Sequence, residues 1–225
     1  MNKKLIAAAI AAAFAAPAAY ADATLYGKMH ASIDQIDYES SGEDNYEVNS
    51  RASRLGFKGS EDLGNGMSAF FKLEYESDIT EGDSLSGRDQ YIGIKMERFG
   101  KLTFGTTSTA YKSPGSKIDV FYRTNLQSRT IGLQSNLHSG KGEEGHGRAT
   151  NTIGYNSPNW SGFGLQATYT LDSTEADGED DDPWSVGATY SGLGGLYVFA
   201  SYVTTNASGD DDAGRASGAA YVYRR

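Results

Sequence analysis

The feature that most constrains the fold is an alternation of apolar and polar residues with a period of two. Between Met67 and Glu76, one set of alternate residues is Met67, Ala69, Phe71, Leu73 and Tyr75, and the other set is mostly polar. Successive side chains of a strand point to opposite faces of the sheet, so this period predicts β-strands. Similar rows occur at 25–34, 54–58, 90–96, 102–104, 163–169, 186–190 and 196–202. No later segment approaches 18 consecutive apolar residues, which excludes a membrane-spanning helix.

The connections between these rows alternate in length. Tight turns rich in Gly and Asn stand at 62–66, 97–100, 157–162 and 191–195. Longer polar stretches stand between them, at 38–49, 77–86, 107–147, 172–183 and 204–212. Short and long connections in turn predict an antiparallel up-and-down meander whose two ends face different environments.

The fold class depends on which face of the sheet is in contact with water. A transmembrane barrel shows its apolar rows to lipid and keeps a polar lumen, whereas a soluble sandwich hides them against a second sheet. Full charges in the polar rows and tyrosines at the ends of the apolar rows favour the barrel. The sandwich also predicts polar outer faces, so the alternation alone leaves it open. The charged residues of the polar rows include Lys28, Asp34, Arg54, Lys58, Lys72 and Glu74.

The first 21 residues predict a secretory signal peptide. Lys3 and Lys4 precede an alanine-rich apolar run at 5–16, and 19–21 is a small-x-small cleavage motif. We therefore expect an exported mature chain at 22–225. Without those two lysines, 18 basic residues face 29 acidic ones, a net charge of -11. This balance argues against a nucleic-acid partner, and the absence of cysteine excludes disulfides and thiol chemistry.

No catalytic constellation emerges from the motifs. Residues 82–85 spell a serine-hydrolase signature, but no Asp stands three residues before any histidine. The glycine-rich segment 140–145 neither follows a predicted strand nor opens a helix, and the acidic run at 175–182 lacks EF-hand spacing. We expect no enzyme, no cofactor and no metal site, and an exported hydrolase remains only as a third hypothesis.

Several segments resemble Gram-negative general porins. Residues 23–28 (ATLYGK) resemble their opening strand, and 53–66 (SRLGFKGSEDLGNG) resemble their second strand and first turn. Residues 91–105 and 151–163 are similar to later hairpins. The resemblance implies an all-β, 16-stranded antiparallel barrel in the outer membrane, usually a homotrimer in contact with its lipid. It implies passive diffusion of ions and small hydrophilic solutes.

The resemblance also implies a pore constriction. The loop at 107–147 would fold into the lumen, with Asp119 as its acidic member. Lys28, Arg54 and Arg148 would form a basic cluster on the wall, whereas Thr106 stands where the family often has Arg. The net charge of the mature chain predicts a weak cation preference.

The length predicts a partial barrel. About ten strands fit into the 204 residues after residue 21, whereas sixteen strands need about 320. We therefore expect a C-terminally truncated member of the family. Open strand edges are not tolerated in lipid, so a product that does not assemble is one alternative. A non-transporting envelope protein, either a small barrel or a periplasmic β-sandwich, is the other.

Overall fold

The structure is a computed structural model. It describes residues 22–38, 43–82, 85–124, 126–127, 138, 140–143, 147–171, 182–205, 215–217 and 221–224. The predicted signal peptide at 1–21 lies outside the described residues and stays a prediction. Most of the acidic run at 172–183 also lies outside them. No helix in the described part of the chain is long and apolar enough to cross a membrane.

The described chain is almost entirely antiparallel β-structure. Ten strands form one path, in the order β1-β4-β5-β6-β7-β9-β10-β11-β12-β13, and only the short β8 runs parallel to its partner β9. Both β13 and β14 pair with β12, and the hairpin β2-β3 continues β1 and β4. This agrees with the predicted antiparallel meander of about ten strands. The elements are β1 (Asp22–Lys28), β2 (Ala31–Tyr38), β3 (Glu43–Ser50), β4 (Arg54–Gly64), β5 (Met67–Glu76), β6 (Ser86–Met96), β7 (Gly100–Ser108), α1 (Lys112–Gly115), β8 (Lys141–Gly142), β9 (Arg148–Asn156), β10 (Phe163–Thr170), β11 (Trp184–Tyr190), β12 (Leu196–Thr204), β13 (Arg215–Ser217) and β14 (Tyr221–Arg224).

The first hairpin is longer than the sequence predicted. Most of the polar stretch at 38–49 was expected to be a loop, but β3 occupies residues 43–50 and pairs with β2. The hairpin is interrupted at 29–30 and 51–53, where the Ser53 hydroxyl accepts a hydrogen bond from the His30 amide and donates one to the His30 carbonyl, each at 3.0 Å. Polar and acidic composition concealed β3, because only Tyr46 and Val48 mark its apolar face.

The two faces of the sheet differ in character. The outer face exposes large apolar side chains, of which Ile92 is 65% accessible to solvent. No second sheet covers this face among the described residues, whereas a sandwich would hide these side chains. The inner face carries Arg54, Lys72 and Arg148. Other exposed outer-face residues are Leu25, Phe57, Leu73, Phe104, Ile153, Leu165 and Val186.

The chain that follows β7 folds onto the inner face. The Tyr111 amide donates to Ser185 Oγ at 3.3 Å, and the Tyr197 hydroxyl donates to the Pro114 carbonyl at 3.1 Å. A Cβ added at Gly187 would lie 2.6 Å from the Ala110 carbonyl oxygen, so the close approach requires glycine there. The segment 109–116, which includes α1, is therefore fixed against β10–β12. Phe199, whose ring lies beside that of Tyr197, is buried on the same strand.

Candidate functional site

The inner face brings together four basic residues from four strands. Arg54, Lys72 and Arg88 lie on β4, β5 and β6, and Arg148 begins β9. Glu74 and Asp89 lie between them and bridge one to the next. We call these six residues the charge network. It forms because alternate residues of β4 and β5 face inward and their registers align Arg54 with Glu76 and Gly56 with Glu74.

Glu74 is the centre of one half of the charge network. Its carboxylate lies 2.8 Å from Arg88 Nε, 3.2 Å from Lys72 Nζ and 3.5 Å from Arg54 Nε. The Tyr26 hydroxyl donates a hydrogen bond to the same carboxylate at 2.9 Å. A buried carboxylate requires this number of partners, since an uncompensated buried charge is costly. Arg88 also pairs with Glu76.

Gly56 makes the Tyr26 contact possible. Tyr26 and Glu74 both stand beside Gly56, on the neighbouring strands β1 and β5. The tyrosine ring crosses the glycine, and a Cβ at this position would lie 2.7 Å from the ring. Glycine in a strand interior commonly marks such a close approach. The hydroxyl thus reaches a carboxylate two strands away.

Asp89 is the centre of the other half. Its carboxylate lies 2.9 Å from Lys72 Nζ and 2.7 Å from Arg148 Nε. The register between β5 and β6 shifts between Leu73 and Tyr75, which indicates a bulge in β6 at residues 88 and 89, opposite Glu74. Bulges re-aim side chains, and this one lets two consecutive residues, Arg88 and Asp89, both join the charge network.

A cavity of about 600 Å³ lies between this wall and the loop segment. Among its lining residues, two are acidic, Glu74 and Asp89, and seven are basic. The loop supplies Lys112 and Arg123, together with polar groups such as Tyr122 and Gln127. The basic lining residues are Arg51, Arg54, Lys72, Arg88, Lys112, Arg123 and Arg148.

Of the four constriction residues predicted from the sequence, two line the cavity and two do not. Arg54 and Arg148 both line the cavity and belong to the charge network. Lys28 is exposed directly opposite Arg54 in the β1–β4 register, but it does not line the cavity. Asp119 is only 8% accessible, and its carboxylate accepts a hydrogen bond from the Phe121 amide at 3.1 Å. Asp119 is not among the cavity-lining residues, so its predicted role stays a prediction.

The sequence did not single out Lys72, Glu74, Arg88 or Asp89 as site residues. Lys72 and Glu74 could have been identified from the sequence, because both lie on the polar face of a predicted strand. Alternation could not identify Arg88 and Asp89 together, because adjacent residues of a strand are expected on opposite faces unless a bulge intervenes. Thr106 lies on β7, opposite Gln90.

The connection between β5 and β6 begins with a hydrogen-bonded turn at Asp78. Its carboxylate accepts from the Thr80 hydroxyl at 2.6 Å, from the Thr80 amide at 2.9 Å and from the Glu81 amide at 3.3 Å. These bonds favour the ionised form and hold the pKa of Asp78 below its usual value. The serine-hydrolase signature follows this turn, but its Asp83 and Ser84 lie outside the described residues.

The arrangement can attract and orient charged solutes. In the described ranges, no three His, Asp or Glu residues are placed to hold a metal ion. The cavity is lined by fixed charges and hydroxyls, and the sheet presents an apolar surface on its other side. A polar interior behind an apolar exterior is the property of a barrel that spans a membrane.

The comparison with known families is decisive. The family model for the Gram-negative porin matches residues 7–224. The chain belongs to this family. Its fold is therefore that of the antiparallel porin barrel, it is an outer-membrane protein, and it is not an enzyme. The resemblance identified from the sequence is confirmed, and the periplasmic sandwich and the exported hydrolase are wrong.

Curated relatives match over most of this chain but only part of their own length. Outer membrane porin protein 32 of Delftia acidovorans is 31% identical over 189 residues, which are 80% of this chain and 53% of that protein. Major outer membrane protein P.IB of Neisseria gonorrhoeae is 29% identical over 210 residues, 90% of this chain and 56% of that protein. The chain thus spans about half the length of the relatives it matches.

Solved structures support the fold. An anion-selective porin from Comamonas acidovorans aligns with a TM-score of 0.69 at 23% identity, over 82% of this chain and 57% of that one. Salmonella typhi OmpF, in a complex with daunomycin, aligns with a TM-score of 0.61 at 18% identity, over 84% and 55%. These neighbours are 16-stranded porin barrels. At such identities the likeness concerns the fold alone.

Proposed function

We propose that the protein forms a water-filled channel through which ions and small hydrophilic solutes diffuse across the outer membrane. The observation that carries this proposal is the inner cavity, whose charged wall faces a loop fixed against the same sheet. Solutes wider than the gap are excluded by size. Fixed charges at the narrowing act on permeating ions at short range, where salt screens them least.

The net charge of the chain and the charges that line the cavity predict opposite ionic preferences. The net charge of the mature chain predicts a weak cation preference, and that remains untested. The cavity lining instead has seven basic residues and two acidic ones. With Asp34 and Glu76, which pair with Arg51 and Arg88 of the lining, the count is still seven basic residues to four acidic ones. Charges more than a Debye length of about 8 Å from the ion path are largely screened, so the cavity lining outweighs distant acidic residues. We therefore propose that anions are preferred.

A second observation also supports a preference for anions. Lys58 stands directly opposite Lys72, and Lys95 directly opposite Lys101, so like charges face each other on neighbouring strands. Opposed like charges destabilise a sheet. Their alternation places all four lysines on the inner face. Lys72 belongs to the charge network, and Lys58, Lys95 and Lys101 lie between the network and the short-turn end of the wall. A basic track for anions would explain why this cost is tolerated.

The test is the reversal potential of the protein, purified from outer membranes and reconstituted in a planar bilayer across a tenfold KCl gradient. Potassium and chloride have similar mobilities in water, so the sign reports the channel. We expect discrete conductance steps and a reversal potential displaced toward the chloride equilibrium potential. A displacement toward the potassium potential would overturn the anion preference and support the charge-based expectation. Absence of conductance would overturn the channel itself.

We further propose that the mature chain begins at Asp22 and assembles as a homotrimer in outer-membrane lipid. The composition of 1–21 supports the first point. A structural neighbour of the same fold, OmpT of Vibrio cholerae, is described in a trimer form, which supports the second. N-terminal sequencing of the outer-membrane protein tests the cleavage site. Chemical cross-linking before and after heating tests the assembly, since a monomer at both temperatures would contradict a trimer.

A further inference from the structure

The two carboxylates of the charge network differ in what they present to the cavity. The Glu74 side chain is 6% accessible and the Asp89 side chain is 19% accessible. The Tyr26 hydroxyl and three basic groups occupy the surroundings of Glu74. Asp89 contacts two basic groups, Lys72 and Arg148, and retains more exposed surface. A permeating ion therefore meets Asp89 more directly than Glu74.

The position of Asp89 follows from the bulge in β6 and not from simple alternation. The shifted register opposite Leu73 and Tyr75 lets Asp89 follow Arg88 into the charge network. There it bridges Lys72 of β5 and Arg148 of β9, which β6 and β7 separate in the sheet. The Asp89 carboxylate therefore reduces the net positive charge of the four basic residues. It does so at Arg148, where the loop ends and β9 begins. Its effect is largest for solutes with more than one negative charge.

We propose that Asp89 is a specificity-determining residue that prevents the charge network from trapping multivalent anions. The inference rests on the proposed channel function and deepens it. The four cations and two carboxylates of the charge network sum to +2, or to +1 when Glu76, which pairs with Arg88, is included. Removal of Asp89 raises the charge of the network from +2 to +3. Conduction requires an ion to bind well enough to enter and weakly enough to leave. Asp89 keeps the site in that range for monovalent anions, while divalent anions leave before they block the pore.

The expected size of the effect follows from Coulomb's law. A unit charge acting across ~7 Å of water changes the occupancy of a monovalent ion by about 2.7-fold, and that of a divalent ion by the square of this factor, about seven- to eightfold. The dependence on ion valence distinguishes an electrostatic role from a structural one. Loss of structure would change both currents together.

The experiment measures chloride current through reconstituted protein while sulfate is added. In Asp89→Asn we expect half-block at a sulfate concentration about eightfold lower than in the wild type, with chloride selectivity raised about threefold. Asp89→Glu, which restores the carboxylate, should return both values toward the wild type. Equal sulfate block in the wild type and Asp89→Asn would overturn the proposal.

Two further variants keep the test decisive. Asp62→Asn removes an exposed carboxylate that accepts a hydrogen bond from the Gly64 amide beside a tight turn, away from the cavity, and should leave sulfate block unchanged. The double variant Asp89→Asn with Arg148→Gln returns the net charge to +2 and should restore the wild-type block even if the single variant folds poorly. Persistent tight block in the double variant would also overturn the proposal. No current in wild-type protein would instead contradict the channel function.

Discussion

At the scale of single residues, the charge network depends on a glycine as much as on its charged groups. Tyr26 reaches Glu74 only because Gly56 leaves room for its ring. The hydroxyl stabilises a carboxylate that is otherwise enclosed by basic side chains. Substitution of a residue with no functional group should therefore disturb the charged site.

We expect Gly56→Ala to destabilise the folded protein by about 1 to 3 kcal/mol, the usual range for an added methyl in a packed site. The new Cβ would meet the Tyr26 ring at 2.7 Å and the Leu73 carbonyl oxygen at 2.8 Å. The measurement is the temperature at which the β-sheet circular dichroism signal is lost. Gly194→Ala is the matched control, because nothing lies within 4 Å of its added Cβ. Equal shifts in both variants would contradict the steric argument.

At the scale of elements, the inner cavity depends on how the segment 109–116 is fixed to β10–β12. Hydrogen bonds join Tyr111 to Ser185, Ser201 to Tyr111 and Tyr197 to Pro114. Lys117 Nζ also lies 4.9 Å from the centre of the Tyr197 ring, within range of a cation–π contact. The start of the loop is thus fixed to the wall, and in the proposed channel this contact sets the width of the pore.

We expect Gly187→Val to displace this segment and increase single-channel conductance. A Cβ at this position would lie 2.6 Å from the Ala110 carbonyl oxygen and 3.3 Å from Pro114 Cγ, so the loop must move away. Ala188→Val adds similar bulk to the next residue, which is exposed and points to the opposite face, and should leave the conductance unchanged. An unchanged conductance in Gly187→Val would show that the contact does not set the pore width.

Alternation predicted the strands and the inward position of Arg54 because each depends only on neighbouring residues. It could not predict Asp89, because a bulge reverses the facing of one residue and depends on the pairing of β5 with β6. The burial of Asp119 depends on contacts within the loop, which carries no period. Strand β3 was missed because its polar composition resembles a loop, although Tyr46 and Val48 alternate.

At the scale of the whole molecule, the outer face is suited to lipid. Aromatic pairs stand near both ends of the strands. The ring centres of Phe163 and Tyr190, beside the short turns, are 4.3 Å apart. The ring centres of Trp184 and Tyr202, beside the long connections, are 5.3 Å apart. Aromatic residues at both interfaces, with an apolar band between them, are typical of outer-membrane barrels. The two faces should therefore respond in opposite ways to an added charge.

We expect Ile92→Arg to reduce folding into lipid vesicles by about 2 to 4 kcal/mol, the cost of a basic residue facing the middle of the bilayer. Ile92 stands in the centre of β6 and is exposed on the outer face. Gln166→Arg is the control, because Gln166 lines the inner cavity, and in the proposed channel an added charge there remains hydrated. The measurement is the fraction of folded protein in vesicles as urea is diluted. If both variants fold equally well, the apolar face is not in lipid; if only Ile92→Arg is impaired, the polar face lines the channel.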